Sequence, residues 1–425
     1  MKARSWPFFY GWVIVAIAFL GSGIGSGVAI WGASVFIIPM TEELGWTRTA
    51  FFVAFTVRAA LVGLTAPLFG PLFDTRRGPM VLAIGSALVL TVSMVLLRYT
   101  EHLWQFILLY GVAGAFSEVG SGFSVAQSIV PKWFILKRGR ALGISTMGVG
   151  LGALVFPGTV SALVGSVGWR DAWVYFGLGV GAVSLLLAVL VRTQPEDVGL
   201  QPDAAPRPPA FDEAAPEEPE TVPEGRSLTR GEAIRTPAFW LLLVSFSFVG
   251  LGIMGFQANW LPFLLENGFT STEASAGIAM YGLFSGLSRP VWGLMGERVP
   301  VRYLLAGSTM VTGVSVLFLL TVRTLPVLSG YMAFAGVVMG GYLVLRALLE
   351  SDYFGRQYLG AINGLFRPFA MGTSALSPLL FGLLYDLRGG YGLAFLTAAV
   401  AWFVAGVVVL LARPPVQHPR AKRDE

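Results

Sequence analysis

The sequence predicts an all-α membrane protein of twelve transmembrane helices arranged as two pseudo-symmetric six-helix bundles. Three observations carry that expectation. Charged residues make up 12% of the 425 and hydrophobic residues 55%, with a mean hydropathy of +0.70, whereas a soluble chain carries about 25% charged residues. Apolar runs recur, each able to cross a hydrocarbon layer about 30 Å thick as a helix. The runs also fall into two sets of six, divided by a stretch of another composition.

Taken in order, hydropathy places the first six spans near 9–38, 48–73, 79–98, 103–130, 139–165 and 169–191. The second six follow near 237–265, 272–295, 301–322, 326–350, 360–385 and 390–412. Lys2 and Arg4 precede the first run as they would in a secretory signal. That run continues from Phe8 to Met40, beyond the ~7–15 residues of a signal's apolar region, so it reads as a retained span. Trp6, Phe8, Phe9, Tyr10 and Trp12 at its start read as an interfacial anchor. Between the sets, "QPEDVGLQPDAAPRPPAFDEAAPEEPETVPEG" is rich in proline and acid and nearly free of aromatics, so it reads as a flexible linker. The expected organisation is an N-terminal bundle at 1–192, a cytoplasmic linker at 193–236, a C-terminal bundle at 237–412 and a cytoplasmic tail at 413–425.

Orientation follows from the basic residues. With the N-terminus inside, twenty Lys and Arg fall on the cytoplasmic side, five on the other and four within spans. That bias predicts a multi-pass protein of a plasma or inner membrane with both termini cytoplasmic. The net charge of +5 is what inside loops carry, and no nucleic-acid partner is expected. The chain has no cysteine, and its two histidines, His102 and His418, lie outside the spans. No metal site, cofactor or enzymatic centre is expected from such a set. No Walker-type phosphate loop occurs either, so the energy source is expected to be a gradient or a counter-substrate.

The halves repeat each other. "APLFGPLFDTRRG" near the end of span 2 and "SRPVWGLMGERVP" near the end of span 8 share one spacing, Pro67–Gly70–Asp74 and Pro290–Gly293–Glu297. Pro157 precedes Gly168-Trp169 by the interval at which Pro378 precedes Gly389-Gly390. Repeated halves with a site between them are a transporter architecture. Asp74, Arg76, Arg77, Glu297 and Arg298 are the expected gating residues, with acids at helix ends pairing with nearby arginines in one state and releasing them in another. Gly21, Gly23, Gly25 and Gly27 in span 1 are expected to allow close helix packing.

Four arginines lie inside spans: Arg58, Arg289, Arg346 and Arg367. Each costs ~3 kcal/mol at a helix centre, and none can shed its proton. Intramembrane acids are fewer, Glu118 and Glu350, with Asp352 at a span end. Arg346 and Glu350 are four apart on one helix face and are expected to form a structural ion pair. Glu118 is a candidate for proton coupling, or for a static pair with Arg58 or Arg289. That leaves guanidiniums without an acid, and the simplest missing partner is an anionic substrate held by the planar fork. Arg289, Arg58 and Arg367 are therefore expected to bind substrate, with Tyr331 and Asn259 as polar lining.

These patterns resemble the major facilitator superfamily over essentially the whole chain, with "GPLFDTRRG" similar to its loop 2–3 signature. A narrower resemblance is to the monocarboxylate porter family and its oxalate/formate relatives. "WFILKRGRALGISTMGVGLG" resembles that family's span-5 motif at Phe134, Arg138, Ala141, Gly143, Gly148 and Gly152, with Lys137 in place of its first Arg. Trp133, Leu136, Arg140 and Met147 depart from it. Gly11-Trp12 matches the end of the family's span-1 motif, and Arg289-Pro290 in "SGLSRPVWGL" is similar to its D-x-x-x-R-P segment, whose Arg holds the substrate carboxylate. Ser285 stands where that segment has its acid, and Ile30 stands where many members have a span-1 lysine used in proton coupling. The resemblance implies a secondary carrier, functional as a monomer, for a small organic anion such as a monocarboxylate. Proton symport is the expected coupling and oxalate/formate-type anion exchange its rival.

Overall fold

The computed structural model describes residues 9–203 and 227–415. Lys2, Arg4, Trp6, Phe8, the middle of the linker and the tail beyond residue 415, with His418, lie outside the described residues. Every regular element among the described residues is helical. Among the described residues ten helices are long and apolar enough to cross a membrane. One of them, Arg138–Leu190, reverses at Gly168, whose φ of 78° and ψ of 162° are open to glycine alone. It is therefore two spans, α5 (138–167) and α6 (169–190). A further helix, Ser271–Gly296, has the length to span at 26 residues.

The N-terminal half comprises α1 (Gly11–Leu44), α2 (Arg48–Phe69), α3 (Gly78–Leu96), α4 (Leu103–Trp133), α5 and α6. The C-terminal half comprises α7 (Pro237–Ala258), α8 (Ser271–Gly296), α9 (Val301–Leu319), α10 (Leu325–Phe354), α11 (Leu359–Arg388) and α12 (Gly392–Leu411). Two N-terminal helices are interrupted. In α1 a π turn at Gly27–Trp31 leads into a 3-10 turn at Ala33–Phe36, which carries the helix on to Leu44, past the expected end at 38. In α4 the helix stops at Val119 and restarts at Gly122. Gly21 and Gly122 sit against each other's backbone, so a side chain at either would drive α1 and α4 apart.

Hydrophobic packing reveals the state of the molecule. At the end of the bundle away from the linker each half has its own core, around Phe36, Phe106 and Trp173 in one and Phe256, Trp260 and Phe395 in the other. At the linker end a single core runs through both, from Tyr10, Trp133 and Phe134 to Phe239, Phe354 and Phe366. The seam between α5 and α8 follows the same trend. A Cβ on Gly139 would collide with the Gly293 backbone and one on Gly143 with Arg289 and Pro290, while one on Gly150 would clear Gly286 by 3.8 Å and one on Gly158 meets nothing. The halves are closed at the linker end and diverge away from it.

Two readings change here. Phe9, Tyr10 and Trp12 are no lipid-facing anchor: their rings pack on Trp133 and Phe134, and the Tyr10 hydroxyl donates to the Leu190 carbonyl at 2.8 Å. The ends of residues 193–236 are also not a free spacer. Asp203 accepts the backbone N–H groups of Ile135, Leu136 and Lys137 at 2.5, 3.1 and 2.8 Å. Glu196 bonds Arg356 at 2.9 Å, and the Leu228 N–H donates to the Phe354 carbonyl at 2.8 Å. Acids that composition marks as solvated instead satisfy loop amides and a loop arginine at the linker end.

Candidate functional site

The four buried arginines divide into two kinds. The Arg58 Nε lies 3.2 Å from the Glu118 carboxylate, and its guanidinium rests over the Tyr110 ring at 5.1 Å. The Arg346 Nε lies 2.8 Å from Glu350, one turn along α10, and its guanidinium lies 4.4 Å from the centre of the Phe246 ring. Each of these cations has a carboxylate. Arg289 and Arg367 have none among the described residues.

Arg289 is 7% exposed on α8, donates from Nη1 to the Thr146 carbonyl of α5 across the seam, and leaves its buried Nε without a partner. Gly143, where a side chain would strike the Arg289 and Pro290 backbone, lets the two helices come close enough for that bond. Arg367 on α11 donates from Nη2 to the Ser124 hydroxyl of α4 at 3.3 Å and lies 6.0 Å from the Phe123 ring centre. It lines a cleft with about 370 Å³ of empty space between α2, α4 and α11, together with Ser124, Ser128 and Asn363. A neutral hydroxyl or carbonyl satisfies hydrogen-bond donors but leaves the charge itself uncompensated. Both guanidiniums thus stand where the two halves meet, suited to hold a carboxylate through paired N–H donors.

Other expected lining residues fall elsewhere. Tyr331 is 4% exposed inside the C-terminal core, 6.3 Å from the Phe318 ring, and is withdrawn from the site. The α10 face that carries it packs toward α9. Asn259 donates its amide to the Gly255 carbonyl at 2.7 Å and closes the end of α7.

The gating set is corrected in its partners. Asp74, after α2, accepts the Gly360 and Ala361 N–H groups at the start of α11 at 3.0 and 2.8 Å, and pairs with Lys132 at 2.8 Å. Glu297, after α8, accepts the Arg140 N–H at the start of α5 at 2.9 Å and pairs with its Nε at 2.9 Å. In both halves an acid closing one helix caps the N-terminus of a helix in the other half, where the helix dipole favours it. Gly70 against Gly360 and Gly293 against Gly139 permit the approach. Arg76 pairs instead with Asp197 at 3.4 Å, and Arg77 and Arg298 form no ion pair with a described residue.

In the sequence Lys132 counts only as an inside-loop cation, Arg138 and Arg140 only as a match and a departure in the span-5 motif, and Asp352 only as an acid at a span end. The facing helix ends reveal the Lys132–Asp74 and Arg140–Glu297 pairs and the Arg138–Asp352 pair at 3.3 Å. The second echo has a backbone meaning: Gly168 and Gly389 end α5 and α11 with positive φ, 78° and 65°.

Comparison with known proteins gives concordant results. The family model of the Major Facilitator Superfamily matches residues 11–267 and 248–425. The oxalate:formate antiporter of Oxalobacter formigenes is 27% identical over 97% of this chain and 93% of its own. Human monocarboxylate transporter 6 is 26% identical over 91% of this chain and 77% of its own. Among solved structures, the human organic anion transporter MFSD10 superposes with a TM-score of 0.68 at 16% identity, covering 94% of this chain and 99% of that one. The proton:xylose symporter XylE superposes at 0.67 and 13%, covering 95% of each chain. At such identities these two speak for the fold alone.

Proposed function

This chain belongs to the Major Facilitator Superfamily, and from that premise we propose that it is a secondary active transporter moving a small organic anion, most simply a monocarboxylate, by alternating access. The observation that carries this reading is the pair of uncompensated guanidiniums, Arg289 and Arg367, at the junction of the halves. A permanent cation in a membrane interior is tolerated where a partner or water meets it, and a mobile carboxylate is the partner that fits. The likeness to proteins named as oxalate, formate and monocarboxylate carriers supports the substrate class.

The Lys and Arg bias supports a cytoplasmic linker, which makes this state closed toward the cytoplasm and open outward. The gating reading moves from Arg76, Arg77 and Arg298 to the Asp74–Lys132 and Glu297–Arg140 clusters, which must part for the inward state. Arg58, held by Glu118, is a counter-charge rather than a direct ligand, and Glu118 is the candidate proton carrier for symport. Anion exchange is a second reading, favoured by the likeness to an antiporter over 97% of the chain. A monomer suffices, since both halves of the site come from one chain.

Proteoliposome uptake of labelled formate, oxalate and lactate tests the proposal. Arg289→Ala and Arg367→Ala should each lower uptake by roughly a hundredfold, as when a charge loses its buried partner, with folded yield retained. Unchanged uptake in both would remove the arginines from the site. Stimulation by an inside-alkaline gradient marks symport, and stimulation by internal unlabelled anion marks exchange.

A further inference from the structure

We infer that Ser128 of α4 and Asn363 of α11 form a subsite beside Arg367 that reads an uncharged hydroxyl or keto oxygen on the substrate, so that the carrier selects acids bearing such a group over plain carboxylates of the same length. This deepens the anion-carrier reading and rests on it.

The cleft at Arg367 takes its shape from glycine. A Cβ on Gly364 would lie 2.6 Å from the Ala66 carbonyl, and one on Gly360 would lie 2.5 Å from the Gly70 carbonyl. At these points α2 and α11 meet backbone to backbone. Behind that contact the space of about 370 Å³ is walled on its third side by α4. Asn363 and Arg367 line it from one face of α11, and Ser124 and Ser128 from one face of the Gly122–Ser128 segment of α4. The two helices run in opposite directions, and Arg367 bonds Ser124 at 3.3 Å. One turn onward along α4 is therefore one turn back along α11, which sets Ser128 opposite Asn363.

This lower pair of polar groups has an unmet demand. Asn363 is 6% exposed and Ser128 5%, yet among the described residues neither the amide nor the hydroxyl has a hydrogen-bond partner. Buried polar groups are bonded as a rule, so a partner from outside the chain is called for. The amide and the hydroxyl each both donate and accept, which suits a hydroxyl and a keto oxygen alike. A second carboxylate would fare worse. Arg367 is the one charged side chain among the described residues lining the cleft. Past Gly360 the space is closed by Asp74, whose charge is already met by Lys132. Residues one turn apart hold their Cβ atoms about 5–6 Å from each other. A carboxylate with an oxygen on the next carbon, or the one after, bridges that gap through a hydrogen bond of about 2.8 Å at either end. A plain acid of equal length would expel water from Ser128 and Asn363 and return nothing to them.

The test is calorimetric titration of the purified full-length chain with sodium salts in two pairs, glycolate against acetate and 3-hydroxypropionate against propionate. Within a pair the acids differ by one hydroxyl. Wild type should bind the hydroxy acid roughly tenfold more tightly in one pair or both, the size expected of a single hydrogen bond gained. Ser128→Ala and Asn363→Leu should each cut that ratio to about threefold or less. The wild-type comparison stands even if Asn363→Leu folds poorly. Equal affinities within both pairs in wild type overturn the inference and leave the anion-carrier reading in place, since the cleft then holds water only. A wild-type ratio kept in full by both variants overturns it as well, because selection then lies elsewhere. Wild type that binds none of these acids overturns the anion-carrier reading itself, and this inference with it.

Discussion

Arg346 and Arg367 lie on neighbouring helices of the same half, yet one bonds Glu350 at 2.8 Å and the other meets only a serine hydroxyl at 3.3 Å. Substitutions should separate a structural cation from a functional one. Glu350→Gln leaves Arg346 buried without its counter-charge, and loss of one partner from a buried pair costs about 3–5 kcal/mol. A clear fall in the thermal midpoint of the purified protein is expected, with most of it recovered in Glu350→Gln/Arg346→Met. Arg367→Met should instead leave the midpoint unchanged or raised, because it removes a buried charge that has no ion pair among the described residues, while abolishing anion uptake. If Arg367→Met proves as destabilising as Glu350→Gln, Arg367 is part of the scaffold.

At the scale of helices, glycine decides where backbones may touch. Gly139 and Gly293 meet backbone to backbone at the linker end of the α5–α8 seam, so Gly293→Leu should prevent that end from closing. The natural chain has no cysteine, so a single cysteine in place of Ser351, which is buried at the linker end against Arg138 of the other half, gives an unambiguous label. Its reaction with a water-soluble maleimide should be slow in an otherwise natural chain and faster by an order of magnitude in Gly293→Leu, by the logic of local opening. Gly168 carries a different burden, since its φ of 78° and ψ of 162° let α5 reverse into α6. Gly168→Ala is expected to destabilise by about 1–3 kcal/mol, read as a lower thermal midpoint with little change in anion affinity.

For the whole molecule, closure at the linker end rests on two related joints and a clasp. Asp74 caps α11, Glu297 caps α5, and Glu196 pairs with Arg356 of the other half at 2.9 Å. Breaking one joint should shift the balance between states without unfolding the protein. Asp74→Ala and Glu196→Ala should each lengthen the mean distance between spin labels placed at residues 77 and 357, with Asp74→Ala having the larger effect because it also strands buried Lys132. An unchanged distance distribution in both would mean that the shared hydrophobic core alone keeps this end shut. Much of this architecture was legible in the chain. Hydropathy located the twelve spans to within a few residues over most of their length, because a helix that must satisfy its backbone in lipid announces itself by length and composition. The spacing Pro67–Gly70–Asp74 and its echo marked both joints before their partners were known. The excess of arginine over acid within the spans likewise required unbalanced cations. Which arginines remained unbalanced was not written there, since Arg58 could reach Glu118 and Arg289 could reach Thr146 only once α2, α4, α5 and α8 had packed. Nor was the fate of the linker acids, or the exclusion of Tyr331 from the site. The sequence alone determined the number of spans and the surplus of positive charge, because burial in lipid acts on each segment through its own composition. Only the tertiary structure decided which charge meets which, because pairing depends on distances of a few ångströms between helices far apart in the chain.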